Sequence, residues 1–548
     1  MATTDLPRAE APAGTRVDWH SNATKRRVKR RNWANWRLQF YGLASIGVAT
    51  LLLCLLFGSL IHTGYVAFFQ TKVALKLDLS SDLIDRENLA ESNFRKITRN
   101  AFKAYFPDVT SPRDTRALMK IMSSGAQYIV RNRVIANPDL VGKTVTMQVP
   151  LSDPYDQLYK GVIPLKIDGL GLDRITNFRR LQNRNVVVVE NGKSFVKTDV
   201  ILSEKEVQDG TFNVILNEAF KAFFPRDRSL AYLEILGPDA VDTLKAYVEA
   251  NPSKIGQTVS LNIPIAPLYD QLQRTGEAKI RNPRFKSDQE LAWYGSLKER
   301  GLLGTVFAWS LFTNPDSRFP ELAGLAGALV GTFLTLMVCF LLSFPLAIGA
   351  AIYLEEFAPK NRVSDIIEVN INNLAAVPSV VFGLLGLALF IGTFGLPRSV
   401  PLVGGMALSL MTLPTIIVAT RAALKSVPPS IREAALGVGA SKHQTIMHHV
   451  LPLAMPGILT GTIIGLAQAL GETAPLLLIG MNAFIPSIQD MGITQPAMAL
   501  PTQIYTWADS SERGFVSKTS AAILVLLCFL IIMNITAVIL RKRFERKW

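Results

Sequence analysis

Runs of about twenty apolar residues recur along this chain and restrict it to folds that cross a lipid bilayer. They lie at about 40–69, 323–354, 373–394, 399–420, 456–480 and 519–540, and each is long enough as a helix to cover about 30 Å of hydrocarbon. Inside hydrocarbon every backbone N–H and C=O must be bonded within the segment or its neighbours, so helices are the form such runs take. The composition agrees, with 49% hydrophobic and 18% charged residues among 548, where soluble domains carry about 25% charge. This balance excludes a disordered, collagen-like or disulfide-stapled chain. Cys54, Cys339 and Cys528 all fall in apolar runs, with no CxxC pair and no zinc-ligand spacing, so they say nothing of the redox compartment.

A formal net charge of +15 fits either nucleic acid or an anionic membrane surface, and the location of the charge decides between them. Lys25, Arg26, Arg27, Lys29, Arg30 and Arg31 precede Trp33, Trp36 and Arg37, directly before the first apolar run. That run exceeds the roughly 7–15 residues of a secretory signal, and tryptophans at its edge form an interface belt. The basic block therefore reads as a cytoplasmic anchor against membrane lipid, with no nucleic acid as partner. Six spans place both termini on one side. Arg541, Lys542, Arg543, Arg546 and Lys547 follow the last span, and loop 421–455 carries Arg421, Arg432, Lys425 and Lys442 against Glu433. Loop 481–517 has Arg513 against Asp490, Asp509 and Glu512. Positive charge thus assigns the termini and loop 421–455 to the cytoplasm and loop 481–517 to the outside.

Between the first two spans, residues 71–320 read as a soluble extracytoplasmic region, and they repeat. Ala101–Pro107 recurs as Ala219–Pro225 at six of seven positions, and Ala136–Leu158 aligns with Ala250–Leu272 at eleven of 23. A spacing of about 115 residues means two tandem copies of a domain rather than a short-period solenoid. In each copy a helical stretch precedes a strand of period two, Thr144–Val149 or Thr258–Ile263, so an α/β or α+β fold is expected. Asp156 and Asp270 recur in the YDQL of each copy, and folding constraints explain that more cheaply than catalysis.

Residues 427–452, VPPSIREAALGVGASKHQTIMHHVLP, encode two short helices outside the membrane. Pro428 and Pro429 break the preceding structure, and Ser430 with Glu433 has the S-x-x-E spacing of a capping box. Gly437 or Gly439 suits a left-handed turn. Ser441 with Gln444 then opens a second helix, which Pro452 is expected to limit. A loop this long is costly unless it is used, because ordered helix connections usually take about 2–8 residues. The alternatives are a well-capped connector, a DNA-reading helix-turn-helix, or a protrusion that enters a groove on a cytoplasmic partner. His448 and His449 read as a solvated helix face.

Glu472 lies inside an apolar run, in QALGETAPLLLIG. An intramembrane carboxylate costs about 2.5–3.5 kcal/mol on insertion scales unless it faces the bundle interior, water or a partner, so its role is either pathway and gating or a structural hydrogen bond. Pro475 is expected to break the ladder nearby and place irregular backbone at a cavity.

The EAA at 433–435, Gly439-Ala440 and Leu451-Pro452 resemble the coupling loop of ABC importer permeases. PSVVFGLLGLALF at 378–390, GETAPLL at 471–477 and LPTQIYTWADSSERGF at 500–515 are similar to motifs of the phosphate permease family PstA. The resemblance covers about 300–548 and part of the first span. It implies a mostly α fold, a six-helix polytopic membrane permease of the MetI-like ABC importer type. Its expected divisions are a basic tail 1–38, a first span 39–70, an extracytoplasmic insertion 71–320, a permease core 321–541 and a tail 542–548. By resemblance Glu433, Ala434, Ala435, Gly439 and Ala440 couple to an ATPase, while Glu472, Thr473, Ser379 and Gln468 are candidates for the translocation path. The hydroxyls of Ser379 and Thr473 either meet the ion or bond their own backbone.

The family often has arginine where Gln468 stands, and a glutamine does not neutralise Glu472. Either a cation on another subunit pairs with Glu472 or desolvation favours its protonated form. Because no GxxxxGK[ST] occurs in the sequence, nucleotide chemistry is assigned to a separate subunit. The chain is therefore expected to be no enzyme and to bind no cofactor or metal, with ATP and Mg used by the partner ATPase. The partners implied are a PstC-like second phosphate permease, a PstB-like ATP-binding dimer and a PstS-like periplasmic phosphate-binding protein in a bacterial inner membrane. The rival readings are a permease for another oxyanion and a membrane receptor sensing through the repeated outer domain. The receptor is expected to need a cytoplasmic output domain, which tails of 38 and about eight residues do not supply.

Overall fold

The computed structural model describes residues 22–544 apart from 81–82, 86–87, 222, 224–233, 486 and 488–491. Most of the basic tail, Asp490, Arg546, Lys547 and the repeat residues Ala222, Phe224 and Pro225 thus lie outside the described residues. Two compact units result, one from the residues up to 69 together with those from 307 onward, the other from 70–306.

The membrane unit is helical. Five helices are long and apolar enough to cross a bilayer, and a bent pair makes a sixth candidate. They are α1 (Asn22–Gly64), α2 (Ala326–Ile352), the bent pair α3 (Arg362–Ala375) and α4 (Ser379–Leu385), α5 (Pro401–Lys425), α7 (Leu451–Gly471) and α10 (Gly514–Phe544). Shorter helices are α6 (Pro429–Gly437), α8 (Ala474–Leu478) and α9 (Leu500–Ala508). The single span expected at 373–394 is instead broken. α3 and the helix continuing from α4 to Thr393 meet at 103°. Pro378 lies at the break, where it supplies no N–H and pushes Val377 away from helical backbone.

α5 is the most enclosed of the candidate spans, because small residues let its neighbours approach. A Cβ added at Gly405 would lie 2.5 Å from the Val338 Cβ of α2, and one at Gly457 of α7 would lie 2.6 Å from the Ala423 Cβ. Helix packing in lipid has no hydrophobic drive, so such close backbone contact is what holds the bundle. The start of α10 is fixed by Lys518, whose Nζ donates to the Ala323 carbonyl at 2.6 Å.

The second unit has strands β1 (Phe69–Asp78), β2 (Thr144–Pro150), β3 (Lys166–Asp168), β4 (Val187–Glu190), β5 (Lys193–Ile201), β6 (Thr258–Pro264), β7 (Lys279–Arg281) and β8 (Leu303–Phe307). They form sheets ordered β2-β1-β8 and β6-β5-β4, with β3 and β7 paired separately. β1 runs antiparallel to β2 with Leu75 opposite Met147, and β5 antiparallel to β6 with Val196 opposite Ile263. Val73, Leu75 and Leu77 face one core, Val196 and Val200 the other. This is the α+β arrangement in two copies that the repeat implies.

The copies exchange their ends. Helix Leu172–Gln182 and β4 close the first copy in sequence, and Asp288–Glu299 and β8, about 115 residues later, close the second. Yet Phe178 and Leu181 lie in the core of β5 and β6, while Phe285, Tyr294 and Leu297 lie in the core of β1 and β2. The tyrosines of the two YDQL segments report the swap. Tyr155 packs on Phe285 and Tyr294 at 5.6 and 5.5 Å between ring centres, and Tyr269 packs on Phe178 at 5.2 Å. Tyr155 also donates to buried Glu290 at 3.1 Å, and burial and that neighbouring charge raise its pKa. The aspartates have matching tasks: Asp156 accepts from Thr71 N–H at 2.7 Å, and Asp270 accepts from Ser194 N–H at 2.9 Å.

Candidate functional site

The loop between α5 and α7 is an elbow. Pro428 holds the cap position and Pro429 the first turn of α6, where a missing N–H costs nothing. That places Ser430 two positions past the cap, so the Ser430–Glu433 capping box expected from the sequence is absent, and α6 has no side-chain cap. At the other end Gly439 has φ +90°. Its N–H reaches the Leu436 carbonyl at 2.9 Å and the Ala440 N–H reaches Ala435 at 3.1 Å, the paired bonds of a Schellman turn. Gly439, not Gly437, is therefore the left-handed residue.

Ser441 and Gln444 form the expected reciprocal cap, at 2.9 and 3.2 Å. The helix they open does not stop at Pro452. It runs without a break from Lys442 to Gly471, and the wide turns at Thr445–Val450 accommodate the proline, whose missing N–H would interrupt a regular ladder. Ala435 is buried, Ala440 half-buried, and Glu433 and Ala434 are exposed. Leu436 and Val438 are 51% and 87% exposed at the tip of the elbow. Apolar side chains held outward on a fixed turn, next to the exposed carboxylate of Glu433, suit a complementary groove.

Sequence reasoning missed what fastens the elbow. Arg432 Nη2 donates to Glu356 at 2.7 Å and Nε to the same oxygen at 3.2 Å. Its remaining donors reach the carbonyls of Val427 at 2.8 Å and Leu424 at 2.9 Å. Arg421 joins Glu355 at 3.3 Å and Glu368 at 2.9 Å, and Lys425 stands 3.5 Å from Glu355. The adjacent acids Glu355-Glu356 closing an apolar run are the available signal, but in the sequence the basic residues of loop 421–455 indicate only sidedness.

Among the candidate residues inside the membrane unit, α7 ends at Gly471 and Glu472 is extended, with φ −77° and ψ 119°. The ladder thus breaks three residues before Pro475, which sits in the first turn of α8. Glu472 is half-buried, and among the described residues no side chain pairs with its carboxylate. Gln468 is exposed, in line with exposed Ile464 and Gly471 on one face of α7. α4 packs parallel to α8: a Cβ at Gly383 would lie 2.7 Å from Pro475 Cα, and one at Gly386 would lie 3.4 Å from Ile479. Ser379, one turn before Gly383, therefore lies at the same end of this pair as Glu472 and Thr473. Thr460 and Thr462 hydroxyls bond their own backbone at 2.8 and 2.9 Å. Among the described residues, the half-buried hydroxyls of Ser379 and Thr473 make no such bond.

A family model described as binding-protein-dependent transport system inner membrane component matches residues 343–548, and a domain of unknown function (DUF3333) matches 25–168. The probable ABC transporter permease protein YqgI of Bacillus subtilis (strain 168) is 32% identical over 170 residues, which span 31% of this chain and 58% of that protein. Phosphate transport system permease protein PstA 1 of Mycobacterium tuberculosis (strain ATCC 25618 / H37Rv) is 34% identical over 220 residues, 40% of this chain and 70% of the relative. PstA of Yersinia pestis is 31% identical over 214 residues, 39% and 71% respectively. Inward-facing MetNI methionine ABC transporter aligns over 40% of this chain and 98% of its own, at 17% identity and a TM-score of 0.32. The helical core with its elbow is that of a multi-pass ABC importer permease. Within that class, the chain belongs to the PstA family of phosphate transport system permeases.

Proposed function

We propose that this chain is the transmembrane permease subunit of an ATP-driven importer that moves inorganic phosphate across the cytoplasmic membrane by alternating access. Membership in the PstA family supports phosphate as cargo. The elbow carries the mechanism: a Schellman turn at Gly439 displays Leu436, Val438 and Glu433 outward. We assign its docking partner as a separate ATP-binding dimer that uses ATP and Mg. Glu433, Ala434, Ala435, Gly439 and Ala440 form the coupling surface, with both termini cytoplasmic and 70–306 outside.

The exposed face of α7, bearing Gln468 beside Glu472, fits against a second permease, and an extracytoplasmic phosphate-binding protein delivers the ion. Glu472 does not contact phosphate directly, since a bare carboxylate repels an anion. Ser379 and Thr473, whose hydroxyls are not spent on backbone, are the groups that offer hydrogen bonds to it.

Two glycines test the elbow. Gly437 lies in α6 with open space around it, whereas Gly439 needs positive φ. Gly439→Asp adds a side chain to a left-handed residue at about 1 kcal/mol of strain and a charge to an apolar tip. Phosphate uptake by cells should fall severely for Gly439→Asp and Glu433→Lys and remain normal for Gly437→Ala, at equal amounts of chain in the membrane. Normal uptake by both damaging variants removes the coupling assignment.

A further inference from the structure

A coupling helix does nothing unless its displacement reaches the spans. α6 is joined to α5 by the short link through Pro428 and Pro429, and on the other side by the turn at Gly439, where backbone is pliable. Side-chain contacts must supply the stiffness. Ile431 is partly buried against the cluster of Ala423, Leu424, Val427, Val450, Ala454 and Ile458. Such contacts slide. Arg432 does not, because four donated hydrogen bonds fix its planar guanidinium on three elements at once.

The first element is α6 itself, where Arg432 precedes exposed Glu433. The second is the wide-turn segment Tyr353–Phe357 that ends α2, through Glu356. The third is the end of α5 and the link that follows it, where the carbonyls of Leu424 and Val427 accept from Arg432; the Leu424 carbonyl also accepts from the Val427 N–H at 3.3 Å. The Glu356 side chain is 10% exposed and that of Arg432 is 23% exposed, so water screens the pair little. Arg421 extends the linkage: it rises from α5 and holds Glu355 beside Glu356 and Glu368 on α3. One chain of charge-assisted bonds thus runs from the coupling helix to α2, α5 and α3.

We propose that Arg432 is the positioning residue of energy coupling, and that its guanidinium, shared between Glu356 and the carbonyls of Leu424 and Val427, carries the displacement of the coupling helix to the ends of α2 and α5. The proposal rests on the importer reading above. Lysine does not substitute, since an ammonium reaches Glu356 or the carbonyls but lacks the fork that holds both.

The test uses the whole complex, this chain with its companion subunits and binding protein, in proteoliposomes. The readouts are ATP hydrolysed, phosphate accumulated and the amount of complex assembled. Arg432→Met and Glu356→Gln should each lower phosphate moved per ATP about tenfold, and the double variant should be no worse than either single, because both remove one link. Arg432→Lys should fall between. An unchanged phosphate-to-ATP ratio in assembled Arg432→Met overturns the proposal. So does a loss in which hydrolysis and uptake decline together, in step with the amount of complex, since that marks a merely structural pair. If Arg432→Met fails to assemble, Arg432→Lys decides: a wild-type ratio there overturns the proposal equally. A wild-type complex that hydrolyses ATP and accumulates no phosphate sinks the importer reading itself, before any variant is compared.

Discussion

Asp156 and Asp270 show how a repeated acidic residue is used when no chemistry asks for it. Each sits in the first turn of a short helix, and its Oδ1 receives the backbone N–H of Thr71 or Ser194 near the start of a strand. Lys160 and Arg274, one turn on, hold the other oxygen at 2.6 and 2.7 Å. Ser194 also donates its hydroxyl to Asp270 at 2.7 Å. Asp270→Ala leaves that strand's N–H without an acceptor, a loss of about 1–3 kcal/mol. Resistance of the outer unit to protease in detergent-solubilised protein should fall accordingly, while phosphate uptake per surviving molecule stays normal. Reduced uptake at unchanged protease resistance would give Asp270 a functional role instead.

At the scale of the element, the two breaks in the membrane helices are packed against each other. α4 begins after Pro378 and α8 after the extended Glu472, and the two run side by side where Gly383 meets Pro475. No larger residue fits at Gly383, because the obstruction is backbone rather than a movable side chain. Gly383→Val must therefore push α4 from α8 and separate Ser379 from the Glu472–Thr473 corner. The overpacking is worth about 1–3 kcal/mol, and uptake should fall far more than the amount of chain in the membrane. Gly349→Ala in α2, where an added methyl meets nothing within 4 Å, is the matched control and should transport normally.

Nothing local to either segment announces this contact. Pro475 is readable as a helix breaker, whereas Pro378 stands inside an expected single span, and which helix each break faces depends on long-range packing. Ser441 and Gln444 were legible because capping is settled within four residues. Ser430 and Glu433 had the same spacing and failed, since adjacent prolines moved the helix start. The hairpin turn between β4 and β5, Asn191-Gly192 with φ 51° and 75°, was equally local and was overlooked, although this dipeptide is a strong hairpin signal.

At the scale of the molecule, the region between the first two spans enters and leaves at one place. Ala308 N–H donates to the Phe68 carbonyl at 2.8 Å, and β8 lies next to β1. Closely spaced ends let a folded unit sit within a host without disturbing it. Removing residues 75–295 and bridging them with a short linker should leave a chain that still inserts and assembles. Removing one copy alone, residues 75–190, should be worse than removing both, because each core takes a helix and a strand from the other. Expression in the membrane and assembly with the ATPase, compared for the two deletions, check this order; equal assembly by both would contradict the exchange.

What the sequence by itself determined was the place of five of the six apolar spans, the doubled region between the first two, the glycine-turned elbow and the family. Each rests on periodicity or short-range chemistry that survives without knowledge of neighbours. Only the tertiary structure decided that Arg432 reaches Glu356 across 76 residues, that Glu472 stands beside the Ser379 end of another helix, and that the outer copies trade their last helices. Such pairings depend on which surfaces meet after the chain has turned back on itself, and many pairings are compatible with the same local pattern.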